Sequence, residues 1–190
     1  MKNNQELEAK LLEIDREKII ERIHDLGGVM AFDGDMFGVF FDTPNSQLKY
    51  GRKLLRLRKE GDRTFLTYKC KISNFDIKIQ EENEIEIPDF EKMRDLLNSI
   101  GFEEIKTNLK HRTSFRIGDV KVELDKYLSE LKFIPEFLEI EAATREEIYE
   151  TAIALGYTPA ELKSWTSFKL EMYYRERYNM KNDELSMVND

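Results

Sequence analysis

The sequence predicts an α+β fold with roughly eight strands, closed into a barrel around a charged lumen with the helices packed outside. Three observations carry this. Strand after strand sets ionisable side chains on one face and apolar ones on the other, the period of two that a half-buried strand imposes. The signs are segregated by strand: acidic at Glu6/Glu8, Glu82/Glu84/Glu86 and Glu139/Glu141, basic at Arg56/Arg58, Lys69/Lys71 and Lys110/Arg112, mixed at Glu123/Asp125. Helical segments with single apolar stripes can cover the apolar strand faces from outside. The alternative is an open sheet with one solvated face, but such a face would use Thr, Ser and Gln freely rather than Glu, Arg and Lys at position after position.

The first strand is Glu6-Leu7-Glu8-Ala9-Lys10, with Glu6, Glu8 and Lys10 on one face and Leu7, Ala9 and Leu11 on the other. Asp15 caps a helix in which Ile19, Ile20, Ile23 and Leu26 recur at helical spacing, and Gly27-Gly28 stops it. Val29 to Thr43 is rich in aromatic and β-forming residues and ends in the turn residues Asp42-Thr43-Pro44-Asn45. Leu54 to Lys59 is a strand with Arg56 and Arg58 on one face. A hairpin turn at Glu60-Gly61-Asp62-Arg63 leads into Phe65 to Lys71, whose polar face is Thr67, Lys69 and Lys71.

Glu82 to Ile87 is an acidic strand. Pro88-Asp89 then opens a helix with Phe90, Met93, Leu96, Leu97 and Ile100 on its apolar side before Gly101. Lys110, Arg112, Ser114 and Arg116 alternate along the next strand, and after Gly118-Asp119 the return strand sets Lys121, Glu123 and Asp125 together. Phe137 to Glu141 repeats the Glu-x-Glu strand. Thr144-Arg145-Glu146-Glu147 is a capping box for a helix through Ile148, Ala152 and Leu155 to Gly156, and Thr158-Pro159-Ala160-Glu161 reads as a second helix start. A Glu-x-Glu strand, an amphipathic helix and a glycine thus recur three times, as echoes within one domain rather than a solenoid of constant period.

The chain of 190 residues suits a single domain over residues 1–178, with 179–190 a polar tail. Its net charge of −8 opposes a nucleic-acid surface, which needs a basic footprint. Cys70 is the single cysteine, so there is no internal disulfide and no zinc spacing; no apolar run spans a membrane and the polar start is no signal peptide, so the expected setting is the cytoplasm.

A lumen lined with both signs suits one kind of ligand. Arg and Lys match phosphate oxygens by charge-assisted bonds. Clustered carboxylates are stable together when a hard cation such as Mg²⁺ or Mn²⁺ lies between them. A polyphosphate chelating a divalent metal satisfies both.

These residues carry a resemblance. Glu6-x-Glu8-x-Lys10, Leu55-Arg56-Leu57-Arg58, Leu66-Thr67-Tyr68-Lys69, Glu82-x-Glu84, Lys110-x-Arg112, Glu123-Leu124-Asp125 and Leu138-Glu139-Ile140-Glu141 look like the ordered motifs of the CYTH superfamily, the triphosphate tunnel metalloenzymes. The likeness runs from Glu6 to about Tyr174, and Phe133 to Glu141 most resembles the bacterial class IV adenylyl cyclase-like branch. Lys71, Lys78 and Ser164-Trp165 depart from the usual pattern. The resemblance implies an eight-stranded antiparallel tunnel that binds triphosphates with Mg²⁺ or Mn²⁺, in a family where homodimers are common.

It further implies a metal site at Glu6, Glu8, Glu123, Asp125, Glu139 and Glu141, and a phosphate grip at Lys10, Arg56, Arg58, Lys69, Lys110 and Arg112. Lys69, Glu82, Glu84 and Arg112 are the candidate catalytic residues, with Glu86 a further candidate beside them. For each, a solvated strand charge is the plain alternative. The implied reactions are hydrolysis of inorganic or organic triphosphate, thiamine triphosphate included, and cyclisation of ATP to cyclic AMP and pyrophosphate. A non-catalytic polyphosphate- or nucleotide-binding module is the alternative from another class. His24 and His111 read as structural or exposed. Trp165, Phe168, Met172 and Tyr173 read as core of a C-terminal helix, with a cap over the tunnel mouth the sharper reading.

Overall fold

The computed structural model describes residues 5–74 and 77–180; of the expected polar tail, residues 181–190 lie outside these. Eight strands, β1 Gln5–Leu11, β2 Val29–Asp42, β3 Lys53–Glu60, β4 Arg63–Asn74, β5 Lys78–Ile87, β6 Glu103–Ile117, β7 Val120–Tyr127 and β8 Phe137–Ala142, close into one antiparallel barrel in the order β1-β5-β4-β3-β2-β6-β7-β8. Closure pairs β1 with β5 on one side and β8 on the other, so no strand edge is left open. The helices are α1 Arg16–Asp25, a short α2 Gln47–Tyr50, α3 Phe90–Ser99, α4 Arg145–Ala154 and α5 Ser167–Arg177.

Most of the apolar core lies outside the barrel wall, between strands and helices. Leu7, Ala9 and Leu11 of β1 pack with Leu124, Leu138 and Ile140, and Ile19 and Ile23 of α1 and Ile148 and Ala152 of α4 cover them. Tyr127 and Phe137, which share strand faces with Asp125 and Glu139, pack on the lumen side with Leu170 and Tyr174 of α5, whereas Val39, Phe41 and Leu57 pack on the outside under Leu97 of α3. Because side chains alternate, burying this outer set commits the charged set to the interior.

The caps form as expected. The Asp15 carboxylate accepts from the Lys18 backbone N–H at 3.3 Å, Asp89 does so from Lys92 at 3.0 Å, and Thr144 and Glu147 make a reciprocal box. Gly156 has φ +84°, and a Cβ there would run into the Arg22 guanidinium, which donates to the Leu155 carbonyl and ties α1 to the end of α4.

Some expectations are corrected. Thr158 to Glu161 makes its capping box but only one 3-10 turn, because Leu162 turns extended and Lys163 pairs with Lys10 as a bridge beside β1. The C-terminal helix starts instead at Ser167, capped by Thr166. Its buried residues are Leu170 and Tyr174, one turn apart, whereas Phe168 and Tyr173 are exposed. β5 begins at Lys78, four residues before Glu82, and β6 at Glu103. No helix among the described residues is long and apolar enough to cross a membrane.

Candidate active site

The barrel encloses a cavity of about 290 Å³ whose wall is ionic on nearly every strand. It is lined by Glu6, Glu8 and Lys10 of β1, Arg56 and Arg58 of β3, Lys69 of β4, Lys78, Glu82 and Glu84 of β5, Lys110 and Arg112 of β6, Lys121 and Glu123 of β7, and Glu139 and Glu141 of β8. Phe40, Leu54 and Tyr127 are its apolar and aromatic lining; Asn108 and Ser167, the first residue of α5, its neutral polar lining. Register brings the carboxylates together: Glu8 lies opposite Glu141, Lys10 opposite Glu139, and Glu123 opposite Glu139.

One part of the wall interleaves glutamates with lysines. Lys10 Nζ lies 3.0 Å from Glu8 and 2.5 Å from Glu139; Lys69 Nζ lies 2.7 Å from both Glu6 and Glu82; Lys78 Nζ lies 2.9 Å from Glu8 and Lys121 Nζ 2.8 Å from Glu141. Burial alone would raise the Glu8 carboxyl, but the Lys10 and Lys78 charges outweigh it and hold Glu8 at about 2. Glu6 is held well below the usual carboxylate range against its burial, by hydrogen bonds with Glu82, Lys69 and Gln80 and the Lys69 charge. Glu82 is pushed up to about 7 by burial and by its contact with Glu6, against the pull of Lys69. Glu141 is pushed up to about 8 by burial, with Glu6 and Glu123 adding to it against the pull of Lys121.

The other part is dominated by guanidinium groups. Arg112 makes a two-pronged contact with Asp125, Nε to Oδ1 at 2.7 Å and Nη2 to Oδ2 at 2.6 Å, and also reaches Glu139 at 2.9 Å and Glu123. Lys110 Nζ lies 2.5 Å from the same Asp125. Arg56 and Arg58 are less well matched: Arg56 comes no nearer than 4.0 Å to Glu84, Arg58 reaches Glu60 at 3.2 Å and Glu84 at 3.3 Å, and the Nε–H of each is buried with no acceptor among the described residues. Burial and the neighbouring Arg58 lower the Arg56 pKa, and burial and Arg112 lower that of Lys110. Gly38 makes room here, since a Cβ would stand 2.5 Å from Asn108 Oδ1.

Residues 4–154 match the CYTH domain family. The chain belongs to the CYTH family. It is similar to a Methanocaldococcus jannaschii protein named as a candidate adenylate cyclase, 28% identical over 136 residues, 72% of this chain and 75% of that one. Among solved structures, one from Pyrococcus horikoshii is 25% identical with a TM-score of 0.72, covering 87% of this chain and 98% of that one. A candidate adenylate cyclase from Vibrio parahaemolyticus has a TM-score of 0.76 at 19% identity, over 87% and 96% of the two chains. A candidate adenylyl cyclase from Hippeastrum, described as having a dominant triphosphatase activity, has a TM-score of 0.65 at 17% identity, over 88% and 95%. The last two are likenesses of fold. As a CYTH tunnel this chain is a triphosphate-processing enzyme, and the family implies a divalent metal.

The donor set of the CYTH tunnel fits such a metal. Among the described residues no three carboxylate, imidazole or thiolate groups converge on one point, because each glutamate is turned to a lysine or arginine. The available donors are nonetheless hard carboxylate oxygens, and the crowding of Glu141 by Glu6 and Glu123 is the kind that a divalent cation relieves.

Every residue expected in the metal, phosphate and catalytic sets lines the lumen except Asp125, which is fully buried with both oxygens taken by Arg112 and Lys110. Lys71, paired with Gln80 just before the β-bulge of β4, is not among the lining residues, and Glu86 lies exposed at the end of β5, paired with Arg63. Lys78 was missed as a lining residue and Gln80 as the partner behind Glu6 and Glu8; the alternation Lys78-x-Gln80-x-Glu82 was the signal. His111 faces away from Lys110 and Arg112, between Asp35 at 2.8 Å and Asp33 at 2.9 Å. His24 sets its ring edge to face with Phe115.

Proposed function

We propose that this CYTH tunnel hydrolyses a compact triphosphate, inorganic or carrying a small organic group, with Mg²⁺ or Mn²⁺ as the metal. The observation that carries the reading is the pair Arg56 and Arg58, whose buried Nε–H groups have no acceptor among the described residues and whose nearest carboxylates are distant or shared. Phosphate oxygens supply those acceptors, and a buried donor left unpaired would otherwise cost about 1–3 kcal/mol. An ionic wall with few apolar lining residues, Phe40, Leu54 and Tyr127, suits a polyphosphate better than a bulky ring system. The fold accommodates the activity, as the Hippeastrum chain illustrates.

In this reading Lys10, Arg56, Arg58, Lys69, Lys110 and Arg112 bind the phosphates and spread the charge that grows during phosphoryl transfer, with Lys69 and Arg112 at the reacting group. Glu82, 2.7 Å from Lys69, and Glu84, which accepts from Thr67 Oγ1 at 2.6 Å and faces Arg58, keep these cations directed. Glu6, Glu8, Glu123, Glu139 and Glu141 would hold the metal. Bound there, the ion supplies Lewis-acid stabilisation of phosphate charge. Asp125 we assign to orienting Arg112 and Lys110, which already occupy its oxygens. The cytoplasm is the setting we propose, consistent with the lone Cys70.

Cyclisation of ATP is the second reading. It is favoured by Asn108, whose amide leans over Gly38 beside Phe40, and by the name of the M. jannaschii relative. The purified protein is to be incubated with inorganic triphosphate, thiamine triphosphate and ATP, each with Mg²⁺ or Mn²⁺. Phosphate release is the expected result. Pyrophosphate with cyclic AMP selects the cyclase, and no turnover of any substrate sinks the enzyme reading in favour of a binding module.

A further inference from the structure

One neutral residue touches both glutamates of the first strand. Gln80 lies opposite Glu6 in the β1/β5 register and is 3% exposed. Its amide Nε2 donates to Glu6 Oε2 and, at 3.2 Å, to Glu8 Oε2. The other side-chain partners of these carboxylates are the ammonium groups of Lys10, Lys69 and Lys78 and the carboxyl of Glu82.

We propose that Gln80 is a positioning residue that holds the Glu6 and Glu8 carboxylates in place for the divalent cation; this rests on assigning Glu6 and Glu8 as metal ligands. An ammonium beside a carboxylate fixes its orientation but also neutralises it and repels an arriving cation. An amide nitrogen carries two N–H donors and no net charge, so one group can orient both carboxylates without adding a further positive charge to those of Lys10, Lys69 and Lys78. Lysine at this position would be a fourth ammonium around the two carboxylates and repel an arriving cation, and glutamate would add a like charge to a crowded wall. Neutral outer partners of this kind fix the direction of metal-binding groups, and losing one typically costs about 10–100-fold in metal affinity.

The test uses the whole protein and Mn²⁺ as the probe. Gln80→Met keeps the length of the side chain and removes the donors; Gln80→Asn keeps the amide but is too short to reach both carboxylates. Mn²⁺ binding is measured without substrate by paramagnetic resonance, and triphosphate binding is measured in chelator by calorimetry. Circular dichroism checks the fold. Gln80→Met is expected to weaken Mn²⁺ binding about 10–100-fold while metal-free triphosphate binding stays as in the parent, with Gln80→Asn in between. Should Gln80→Met not fold, Gln80→Asn decides: weakened Mn²⁺ binding supports the role and parental binding overturns it. Parental Mn²⁺ affinity in folded Gln80→Met, with loss of it in Glu6→Ala/Glu8→Ala, overturns the role of Gln80 alone. Parental Mn²⁺ affinity in Glu6→Ala/Glu8→Ala overturns the ligand assignment and this role with it. Equal loss of Mn²⁺ and metal-free triphosphate binding in Gln80→Met shows a collapsed lumen and overturns the role too.

Discussion

Leu124 and Asp125 are neighbours on β7, both fully buried, and they sit in opposite worlds. Leu124 points outward into the cluster with Leu138, Ile140 and the helices, where burial removes apolar surface from water and favours folding. Asp125 points inward, where burial costs several kcal/mol per ion and is offset only by well-made partners, here Arg112 and Lys110. The outer face therefore holds the barrel together, and the inner face is an ionic load that the outer face carries. Within the inner face the load is uneven: Arg112 is saturated with carboxylates, whereas Arg56 waits for an anion.

The sharpest way to break this comparison is Arg112→Met. It removes the guanidinium shared by Asp125, Glu123 and Glu139 and leaves these buried carboxylates to Lys110, Lys121 and Lys10 alone, and should lower stability in urea unfolding by about 3–5 kcal/mol. A loss as small as that of a surface substitution would show the inner network to be dispensable for folding. Next, Leu124→Ala should cost about 2–5 kcal/mol by the same measurement through the cavity it leaves, and the protein that stays folded should keep its affinity for triphosphate.

Arg56→Met sharpens the contrast within the lumen. With its nearest carboxylate 4.0 Å away, its removal should leave the unfolding midpoint of the free protein near the parent's. Triphosphate binding should weaken by about 10–100-fold, the worth of a charged hydrogen bond of roughly 1.5–3 kcal/mol. The rise in melting temperature on adding triphosphate should shrink accordingly.

The smallest effect lies outside the lumen, at His111. Hydrogen bonds with Asp35 and Asp33 raise its pKa above the ordinary 6.5, so the charged ring favours the folded state. That stabilisation is complete below the unfolded value and fades as pH rises through the folded one. Solvent screens the site, so the expected loss is about 0.5 kcal/mol or less. His111→Asn should flatten this part of the stability–pH curve; an unchanged curve would show that the Asp33 and Asp35 contacts carry no weight.

Much of the site was legible because its signals are local. Glu6/Glu8 and Glu139/Glu141 alternate with Leu7, Ala9, Leu138 and Ile140, and alternation is a property of one strand. The caps at Asp15, Asp89 and Thr144 likewise need only residues within one turn. Thr158 misled because its capping box is equally local, while the stop at Leu162 comes from a distant partner, the bridge between Lys163 and Lys10. Gln80 and Lys78 escaped because, although they continue the alternation of Glu82 and Glu84, only their pairing with Glu6 and Glu8 on β1 fixes the start of β5 at Lys78.

By itself, then, the sequence determined which side chains share a face and that the faces are segregated into apolar and ionic. Which ions meet was decided only by the closed barrel. Residues far apart in the chain, such as Lys69 with Glu6 or Arg112 with Glu139, become neighbours through strand register. The energy of a buried charge depends on those neighbours and on its distance from water, so the raised pKa of Glu141, the carboxylates gathered on Arg112 and the Arg56 Nε–H without an acceptor among the described residues are properties of the tertiary structure alone.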